Sequence, residues 1–357
     1  MSNGLQRLEL KNFTAFSDIA IDFSPKINII IGENSTGKTH LLKAAYTLCS
    51  AGTLSKKTPE INKDDLTVAL TTKLMRLFVP LDDKLGKMHH QGASDQAYMK
   101  VQFANGQKIA CTFFNNSKLL EIVSNSHDWQ DSAEAAFIPT KEVLSFMKGF
   151  SSLYEKYGLS FDQTYQDICI LLDLPEMRAE LRHEKNKWAM DEIRSICGGH
   201  FVFYGGGKVT FKTDDSEYSA NSMAEGFRKI GMLSRLLETG SIQPGVSGPL
   251  FWDEPEANLN PKLMRMLVQI LLELSRNGQQ IILATHNYVL LKYFDLLMDK
   301  KKDDHVQFHS LYRDASSHEI RVTTTSEYLK ITPNPIDDAY GSLIDQEIKK
   351  DMGDLGK

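Results

Sequence analysis

The chain has 357 residues, a length that predicts two or three folding units with a large buried core. No apolar run is long enough for a membrane-spanning helix, and the first residues lack the basic-then-apolar pattern of a signal peptide. The net charge of −5 disfavours a protein that binds nucleic acid over its whole surface. The four cysteines are scattered without a CxxC pair, which favours a reducing cytoplasm and argues against zinc.

A glycine loop follows the first fully apolar strand. INIII (27–31) precedes GENSTGKTH (32–40), in which four residues fit the phosphate-loop motif G-x4-G-K-[ST]. The next residues predict a helix, and strand, loop and helix form the context that this motif requires. Lys38 is expected to neutralise the β and γ phosphates of ATP, and Thr39 to ligate Mg²⁺. The predicted nucleotide-binding residues here are Gly32, Glu33, Asn34, Ser35, Thr36, Gly37, Lys38, Thr39 and His40.

The middle of the chain predicts an antiparallel hairpin and then a helical lobe. Residues 98–123 alternate, and YMKVQFANGQKIACTFF within them predicts two strands joined at Asn105-Gly106, a pair typical of hairpin turns. Residues 143–198 have a helical pattern without the sustained heptads of a coiled coil. Within them Arg178, Arg182 and Lys185 follow helical spacing and predict one basic stripe. A solvated face is the favoured interpretation of this stripe, and nucleic-acid contact is the alternative.

A capped helix is predicted over residues 221–240. Ser222 and Glu225 fit a Ser-x-x-Glu capping box, and the apolar residues that follow keep helical spacing. A helix N-terminus attracts anions, so this one is a candidate anion site, although capping alone is the competing interpretation of Ser222. Ahead of it, FVFYGGGKVTFK (201–212) predicts two strands around a glycine turn rather than a second phosphate loop, because no helix follows.

Two further strands end in polar residues. PLFW ends at Asp253-Glu254, where Asp253 suits a contact to Mg²⁺ and Glu254 can polarise the attacking water. A helix from Pro261, capped by Asn260, is expected to end at 277–278, and QQIILATHN then predicts a strand with His286 at its end. A right-handed crossover places both strand ends at one sheet edge, where ligands bind. The predicted catalytic residues are Lys38, Glu254 and His286, and the predicted metal ligands are Thr39 and Asp253.

These motifs together resemble the ABC-type ATPase heads of the SMC, RecF and OLD group, and the OLD-like branch common in bacterial defence systems in particular. LELKNFTAFSDIAIDFSPKINIIIGENSTGKT is similar to their opening, WDEPEANLNP to their fused Walker B motif and D-loop, and ATHN to their histidine switch. The resemblance implies an α/β P-loop fold with a mixed, largely parallel core sheet, an antiparallel side sheet and a helical insertion. It also implies two ATP molecules sandwiched between two heads, with Ser222, Glu225 and Gly226 of one head near the phosphate of the other.

Three departures from the resembling families stand in the sequence. Ala224 occupies the position of the signature serine, and Asn260 that of a common histidine. The segment AAFIPTKEVLSF (135–146) resembles the one that carries the Q-loop but has Thr140, Lys141 and Glu142 in place of the glutamine. Glu142 is a candidate Mg²⁺ sensor, although a surface charge is the favoured interpretation.

The predicted organisation is an N-terminal lobe (1–142), a helical insertion (143–198), a C-terminal lobe (199–330) and a tail (331–357). The tail is too short for the TOPRIM nuclease domain of OLD nucleases and predicts at most one short amphipathic helix. We therefore expect a cytoplasmic ATPase that forms a homodimer or larger homo-oligomer and acts with a separate effector protein, without a membrane. A RecF-like or SMC-like DNA-maintenance ATPase that binds DNA directly is the alternative. A transporter subunit is disfavoured by the missing glutamine and by the SMC-like opening.

Overall fold

A computed structural model describes residues 4–58, 60–126, 129, 132–178, 180, 182 and 184–354. Its strands are β1 (Leu5–Phe13), β2 (Phe16–Asp22), β3 (Ile27–Gly32), β4 (Ala97–Phe103), β5 (Lys108–Phe113), β6 (Glu121–Asn125), β7 (Ala136–Ile138), β8 (His200–Phe203), β9 (Val209–Lys212), β10 (Glu217–Ser219), β11 (Leu250–Asp253), β12 (Ile281–Ala284), β13 (Val306–Arg313) and β14 (Ile320–Thr325). Its helices are α1 (Lys38–Lys57), α2 (Lys63–Phe78), α3 (Phe150–Tyr157), α4 (Gln163–Asp173), α5 (Glu184–Cys197), α6 (Glu225–Thr239), α7 (Pro261–Arg276), α8 (Tyr288–Leu297) and α9 (Pro335–Asp354).

The core sheet has the strand order β14-β13-β3-β12-β11-β7. Its strands are parallel except β14, which runs antiparallel to β13. Every residue of β3, β11 and β12 is buried, because apolar clusters cover both faces of the sheet. The predicted strands and the crossover through α7 are confirmed, and the carboxyl ends of β3, β11 and β12 lie at the same edge.

A second, antiparallel sheet has the order β2-β1-β4-β5-β6. Its inner face packs with α1 and α2 in one apolar cluster, and the other cluster fills the opposite side of the core sheet. The predicted hairpin turn at Asn105-Gly106 connects β4 to β5, and Gly106 has a φ of 86°, as such turns require. The predicted side sheet is thus confirmed. A short third sheet, β10-β9-β8, contains the strands predicted on either side of the glycine turn.

The helical lobe differs from its prediction in one respect. Helices α3, α4 and α5 are present, but α5 begins only at Glu184. Arg178 and Arg182 therefore precede the helix, and Arg182 forms an ion pair with Glu176 at 2.9 Å. The predicted basic stripe is wrong, because residues 174–178 and 182, which include both arginines, are not helical. The side chain of Lys185, the third member, lies outside the described part of the chain.

The tail forms α9, which is longer than the short helix predicted. Residues from Asp338 to Asp351 are all exposed, so this helix contacts the rest of the chain mainly near its first turn. Within the described residues, no helix is long and apolar enough to cross a membrane. The core sheet takes strands from both predicted lobes, since β3 and β7 lie beside β12 and β11. The domain boundaries at 142, 198 and 330 stay predictions.

Candidate active site

The phosphate-loop glycines have no room for a side chain. Gly32, which ends β3, has a φ of 153°, and a Cβ there would lie 2.4 Å from the carbonyl oxygen of Leu311. Gly37 has a φ of 88°, and its Cβ would lie 2.7 Å from the ring of Phe16. Only glycine combines these φ values with such close neighbours. The loop therefore has the tight form whose backbone N–H groups bind phosphate at the start of a helix.

Lys38 begins α1 and lies across this loop. Its Nζ donates to the carbonyl oxygens of Gly32 at 2.8 Å and Glu33 at 2.9 Å, and the residue is only 9% exposed. Burial lowers the pKa of Lys38, while the nearby acids Glu254, Asp253 and Glu256 oppose that shift. The ammonium is therefore held at the position from which it can meet β and γ phosphate oxygens.

The remaining predicted loop residues lie on both sides of Lys38. Glu33, Asn34 and Ser35 are exposed at the loop tip, whereas Thr36 is buried and donates its hydroxyl hydrogen to the carbonyl oxygen of Glu33 at 2.8 Å. His40 lies in the first turn of α1 against Phe78, with ring centroids 5.3 Å apart. The contact of these loop residues with nucleotide remains a prediction.

A cluster of oxygen atoms surrounds the end of β11. Thr39 Oγ1 donates to Asp253 Oδ2 at 2.9 Å, and Thr140 Oγ1 donates to the same oxygen at 3.1 Å. Asp253 is 6% exposed, and this burial raises the pKa of its carboxyl group. A divalent cation would compensate such a buried carboxylate, and hard oxygen ligands of this kind suit Mg²⁺.

The described residues hold no group of three or more His, Cys, Asp and Glu side chains able to bind a metal. A Mg²⁺ site usually relies on only one or two protein ligands, together with phosphate oxygens and water, and the buried Asp253 carboxylate with the Thr39 hydroxyl beside it supplies such a pair. The residues present therefore fit the ion, with Thr39 and Asp253 as its predicted ligands. Thr140 follows β7, the strand beside β11, and was not predicted to contact Asp253.

Glu254 and His286 meet at the same edge. Glu254 Oε1 lies 3.2 Å from His286 Nδ1, and the two side chains are 31% and 52% exposed. Because β11 pairs with β12 in parallel, with Asp253 opposite Ala284, the residues beyond both strand ends become neighbours. The predicted meeting of these strand ends is confirmed, and the partly exposed pair can be reached by nucleotide and water.

Two buried charged residues beside this pair were missed at the sequence level. Glu256 is 5% exposed and accepts a 2.6 Å hydrogen bond from the Thr285 hydroxyl, and its burial raises the pKa of its carboxyl group. Lys229 of α6 is 1% exposed, and burial lowers its pKa to about 8. The only sequence signal for Lys229 was its place directly before Ile230, at the edge of an apolar helix face.

The capping box predicted at Ser222 is wrong. Residues 220–222 form a short 3-10 turn capped by Ser219, and α6 begins after Ala224, which has no side-chain cap. The carboxylate of Glu225 accepts a hydrogen bond from Asn258 Nδ2 at 2.7 Å instead of bonding back to Ser222. The first turn of α6 is thus bound to the loop after β11 rather than to its own cap.

Gly226 lies directly against that loop. A Cβ at Gly226 would be 2.7 Å from the carbonyl oxygen of Asn258. A bulky residue here would therefore displace the loop after β11 in the same chain, so such a variant does not selectively test contact between two copies of the chain. The contact of Ser222, Glu225 and Gly226 with a neighbour's ATP stays a prediction.

Glu142 is not the surface charge that the sequence favoured. It is 5% exposed, forms an ion pair with Arg228 at 2.8 Å and accepts a 2.6 Å hydrogen bond from the Ser145 hydroxyl. An arginine one turn into α6 satisfies this carboxylate, which a pattern confined to residues 135–146 does not reveal. Thr140, two residues earlier, makes the contact to Asp253 that brings this segment into the site.

Two family models match the chain. The model described as "AAA ATPase domain" matches residues 4–170, which include the phosphate loop and Thr140. The model described as "AAA domain, putative AbiEii toxin, Type IV TA system" matches residues 206–292, which include α6, Glu254 and His286. Together the two matches contain every residue of the site described above.

Curated relatives include two bacterial proteins named "DNA replication and repair protein RecF". The one from Ligilactobacillus salivarius (strain UCC118) is 28% identical over 185 residues, covering 52% of this chain and 42% of its own length. The one from Lactobacillus johnsonii (strain CNCM I-12250 / La1 / NCC 533) is 29% identical over 183 residues, covering 51% and 43%. The chain thus matches less than half the length of either relative.

Solved structures extend the likeness over almost the whole chain. The SMC head domain from Thermotoga maritima has a TM-score of 0.50 at 14% identity, covering 90% of this chain and 98% of its own. The Pyrococcus furiosus Smc head with an extended coiled coil, bound to the C-terminal domain of ScpA, has a TM-score of 0.52 at 12% identity, covering 97% and 99%. At these identities the likeness establishes the fold, which is that of an SMC or ABC-type ATPase head.

Proposed function

Because this chain is a P-loop ATPase of the AAA type with the fold of an SMC head, we propose that it is a magnesium-dependent ATP switch that associates through its nucleotide edge. In this proposal the switch controls a separate effector protein in bacterial defence against phage. The observation that carries the proposal is the Glu254–His286 pair beside the Thr39–Asp253 contact at one sheet edge.

Each group at this edge has a role in hydrolysis of the γ-phosphate. The loop from Gly32 to Thr39 and the ammonium of Lys38 bind the phosphates of the substrate ATP. Mg²⁺ held by Thr39 and Asp253 would supply charge neutralisation on phosphate oxygens. Glu254 accepts a proton from the attacking water, and His286 orients that carboxylate and can donate to a γ-phosphate oxygen. ADP and phosphate are the products.

Association would complete the site. The side chains of Glu254 and His286 are partly exposed, so the γ-phosphate end of the site opens onto the surface. The N-terminus of α6 on a second head could bind the γ-phosphate there through its backbone N–H groups. Such an interface would be favoured by ATP and weakened after hydrolysis, as a ligand-driven switch requires.

The effector and defence parts of the proposal rest on the comparisons. The Pyrococcus furiosus Smc head is a structure of a head bound to a domain of another protein, which supports control of a separate partner. One family description names AbiEii and a Type IV TA system, and this supports the proposed role in bacterial defence. The RecF relatives favour a second candidate, a DNA-maintenance ATPase. Strong, salt-dependent DNA affinity would support that candidate over the first.

Turnover measured against protein concentration tests the proposal. If a second head completes the site, ATP turnover per head should rise with concentration and level off once association is complete. Glu254→Gln protein, mixed in excess with a small amount of wild-type protein, should raise the turnover of each wild-type head by supplying α6. Turnover per head that does not depend on concentration or on added Glu254→Gln protein would reject completion by a second copy.

A further inference from the structure

The turn after β11 has a strained backbone. Glu254 and Asn258 have φ angles of 48° and 61°, in the left-handed region that residues other than glycine seldom adopt. Strained residues persist only where surrounding contacts hold them. The contacts around residues 254–259 (the catalytic turn) therefore determine where the carboxylate of Glu254 points.

The first two turns of α6 contact the catalytic turn at three points. Asn258 Nδ2 donates to Glu225 at 2.7 Å, and Gly226 packs closely against the carbonyl oxygen of Asn258. The third contact comes from Lys229, whose Nζ donates to the carbonyl oxygen of Glu254. Of these three, only the contact of Lys229 reaches the backbone of the proposed base itself.

Lys229 joins two segments of the site. Its Nζ also donates to the carbonyl oxygen of Thr140 at 2.8 Å, and the Thr140 hydroxyl contacts Asp253. The N–H of Glu254 donates to the carbonyl oxygen of Ala284 at 2.9 Å. The carbonyl oxygen of Glu254 accepts from the Ala257 N–H at 3.1 Å as well as from Lys229, so both backbone polar groups of Glu254 are hydrogen-bonded. Without Lys229, this carbonyl oxygen would lose its bond to the ammonium and keep only the bond from Ala257, which lies within the turn itself.

The cost of burying this ammonium is the larger effect on its pKa, and its surroundings offset that cost only in part. Glu256, Glu254, Asp253 and Glu225 all favour its charged form, whereas burial opposes it. Charge-assisted hydrogen bonds to two carbonyl oxygens are stronger than those of a neutral donor. Burying a lysine on the inner face of a helix costs free energy of folding. Both hydrogen bonds that compensate this cost are made to residues of the proposed site.

We propose that Lys229 is a positioning residue that fixes the direction of the Glu254 carboxylate and the position of the Thr140 hydroxyl. Because Lys229 belongs to α6, a shift of that helix would reach both groups at once. Glu225 and Gly226, at the start of the same helix, contact the catalytic turn as well. The expected effect on ATP turnover rests on the proposed function. The hydrogen bonds by which Lys229 fixes the catalytic turn are a property of the fold and do not depend on that function.

The test compares three variants with the wild-type chain. Lys229→Met keeps the length of the side chain and removes the donor, and Lys229→Arg keeps a cation with several donors. Lys26→Met is the matched control, because Lys26 also bonds a backbone carbonyl, that of Asp303, but precedes β3 at the opposite edge of the sheet. Each protein is assayed for ATP affinity, turnover and amide hydrogen exchange.

We expect Lys229→Met to retain ATP binding while its turnover falls by about a hundredfold, the effect of a misplaced catalytic group. Exchange in residues 254–259 should become about tenfold faster or more, because the turn has lost a buried hydrogen bond. Lys229→Arg should recover part of both properties, and Lys26→Met should match the wild-type chain in both.

Wild-type turnover and wild-type exchange in Lys229→Met would overturn the inference. So would an exchange increase spread evenly over the chain, which indicates general destabilisation. A third result would separate the two proposals. If Lys229→Met shows faster exchange only in residues 254–259 but the wild-type chain hydrolyses no ATP, the contact of Lys229 with the turn is supported and the proposed function is rejected. If Lys229→Met does not fold, Lys229→Gln compared with Lys229→Arg makes the same distinction.

Discussion

Glu254 Oε1 lies 3.2 Å from Nδ1 of His286, although the two residues follow different strands of the core sheet. The parallel pairing of β11 with β12 produces this neighbourhood, and α7 supplies the crossover between them. A carboxylate next to an imidazole at the open end of a phosphate site can hold and orient a water molecule.

Lys38→Ala should weaken ATP binding by about a hundredfold, because the phosphates lose charge-assisted hydrogen bonds from a fixed ammonium. Isothermal titration calorimetry with ATP and Mg²⁺ measures this affinity. Lys87→Ala, a change at an exposed lysine outside the loop, is the control and should bind as the wild-type chain does. Unchanged affinity in Lys38→Ala would contradict the phosphate-loop assignment.

Glu254→Gln should bind ATP with wild-type affinity while turnover falls by about a hundredfold or more, since the amide keeps the size of the side chain but cannot accept the proton. Phosphate release under saturating ATP measures turnover. His286→Ala should give a smaller loss, because it removes an orienting contact rather than the base. Turnover that survives in Glu254→Gln would mean that another residue activates the water.

Thr140→Val should raise the Mg²⁺ concentration needed for half-maximal turnover by about tenfold or more, because Asp253 loses a hydroxyl donor that orients it. Thr140→Ser keeps the hydroxyl and is the matched control, expected to resemble the wild-type chain. The measurement is turnover across a Mg²⁺ titration at saturating ATP. If Thr140→Val showed the wild-type Mg²⁺ dependence, the hydroxyl contact would have no part in metal binding.

Glu256→Gln should stabilise the chain near neutral pH. Burial raises the pKa of Glu256 in the folded chain, so the folded state keeps a proton that the unfolded state has already released. The free energy of unfolding therefore falls as the pH rises through that window, from the ordinary value near 4.5 up to the raised value. Glu256→Gln has no such titrating group, so its free energy of unfolding does not fall over this pH range. Above the range, the variant should therefore unfold at a higher temperature than the wild-type chain.

Thermal unfolding of both proteins across a pH series checks this outcome. The gain from Glu256→Gln should be largest near pH 8 and should vanish only as the pH falls below about 4.5, where the glutamate becomes neutral in both states. Glu60→Gln, at an exposed position, should show no such pattern. A constant difference at all pH values would contradict the burial argument.

The sequence predicted the parts of the site that depend on local pattern. The phosphate loop is one continuous motif, and the crossover rule was enough to place Glu254 and His286 together. The contacts of Thr140 and Lys229 were not predicted, because they join segments that meet only after β7 pairs with β11 and α6 packs across them. The Ser222 cap failed for a related reason: a distant partner, Asn258, takes the carboxylate of Glu225.

The mass of Glu254→Gln protein in solution tests the central claim, that ATP drives association of two heads, most directly. Light scattering coupled to size exclusion would be measured with ATP and Mg²⁺, with ADP and Mg²⁺, and without nucleotide. We expect a larger assembly with ATP than with ADP or without nucleotide, and loss of that difference when Lys38→Ala is added to the same protein. An assembly of identical mass in all three conditions would contradict it, and the nucleotide would then drive only a change within one head.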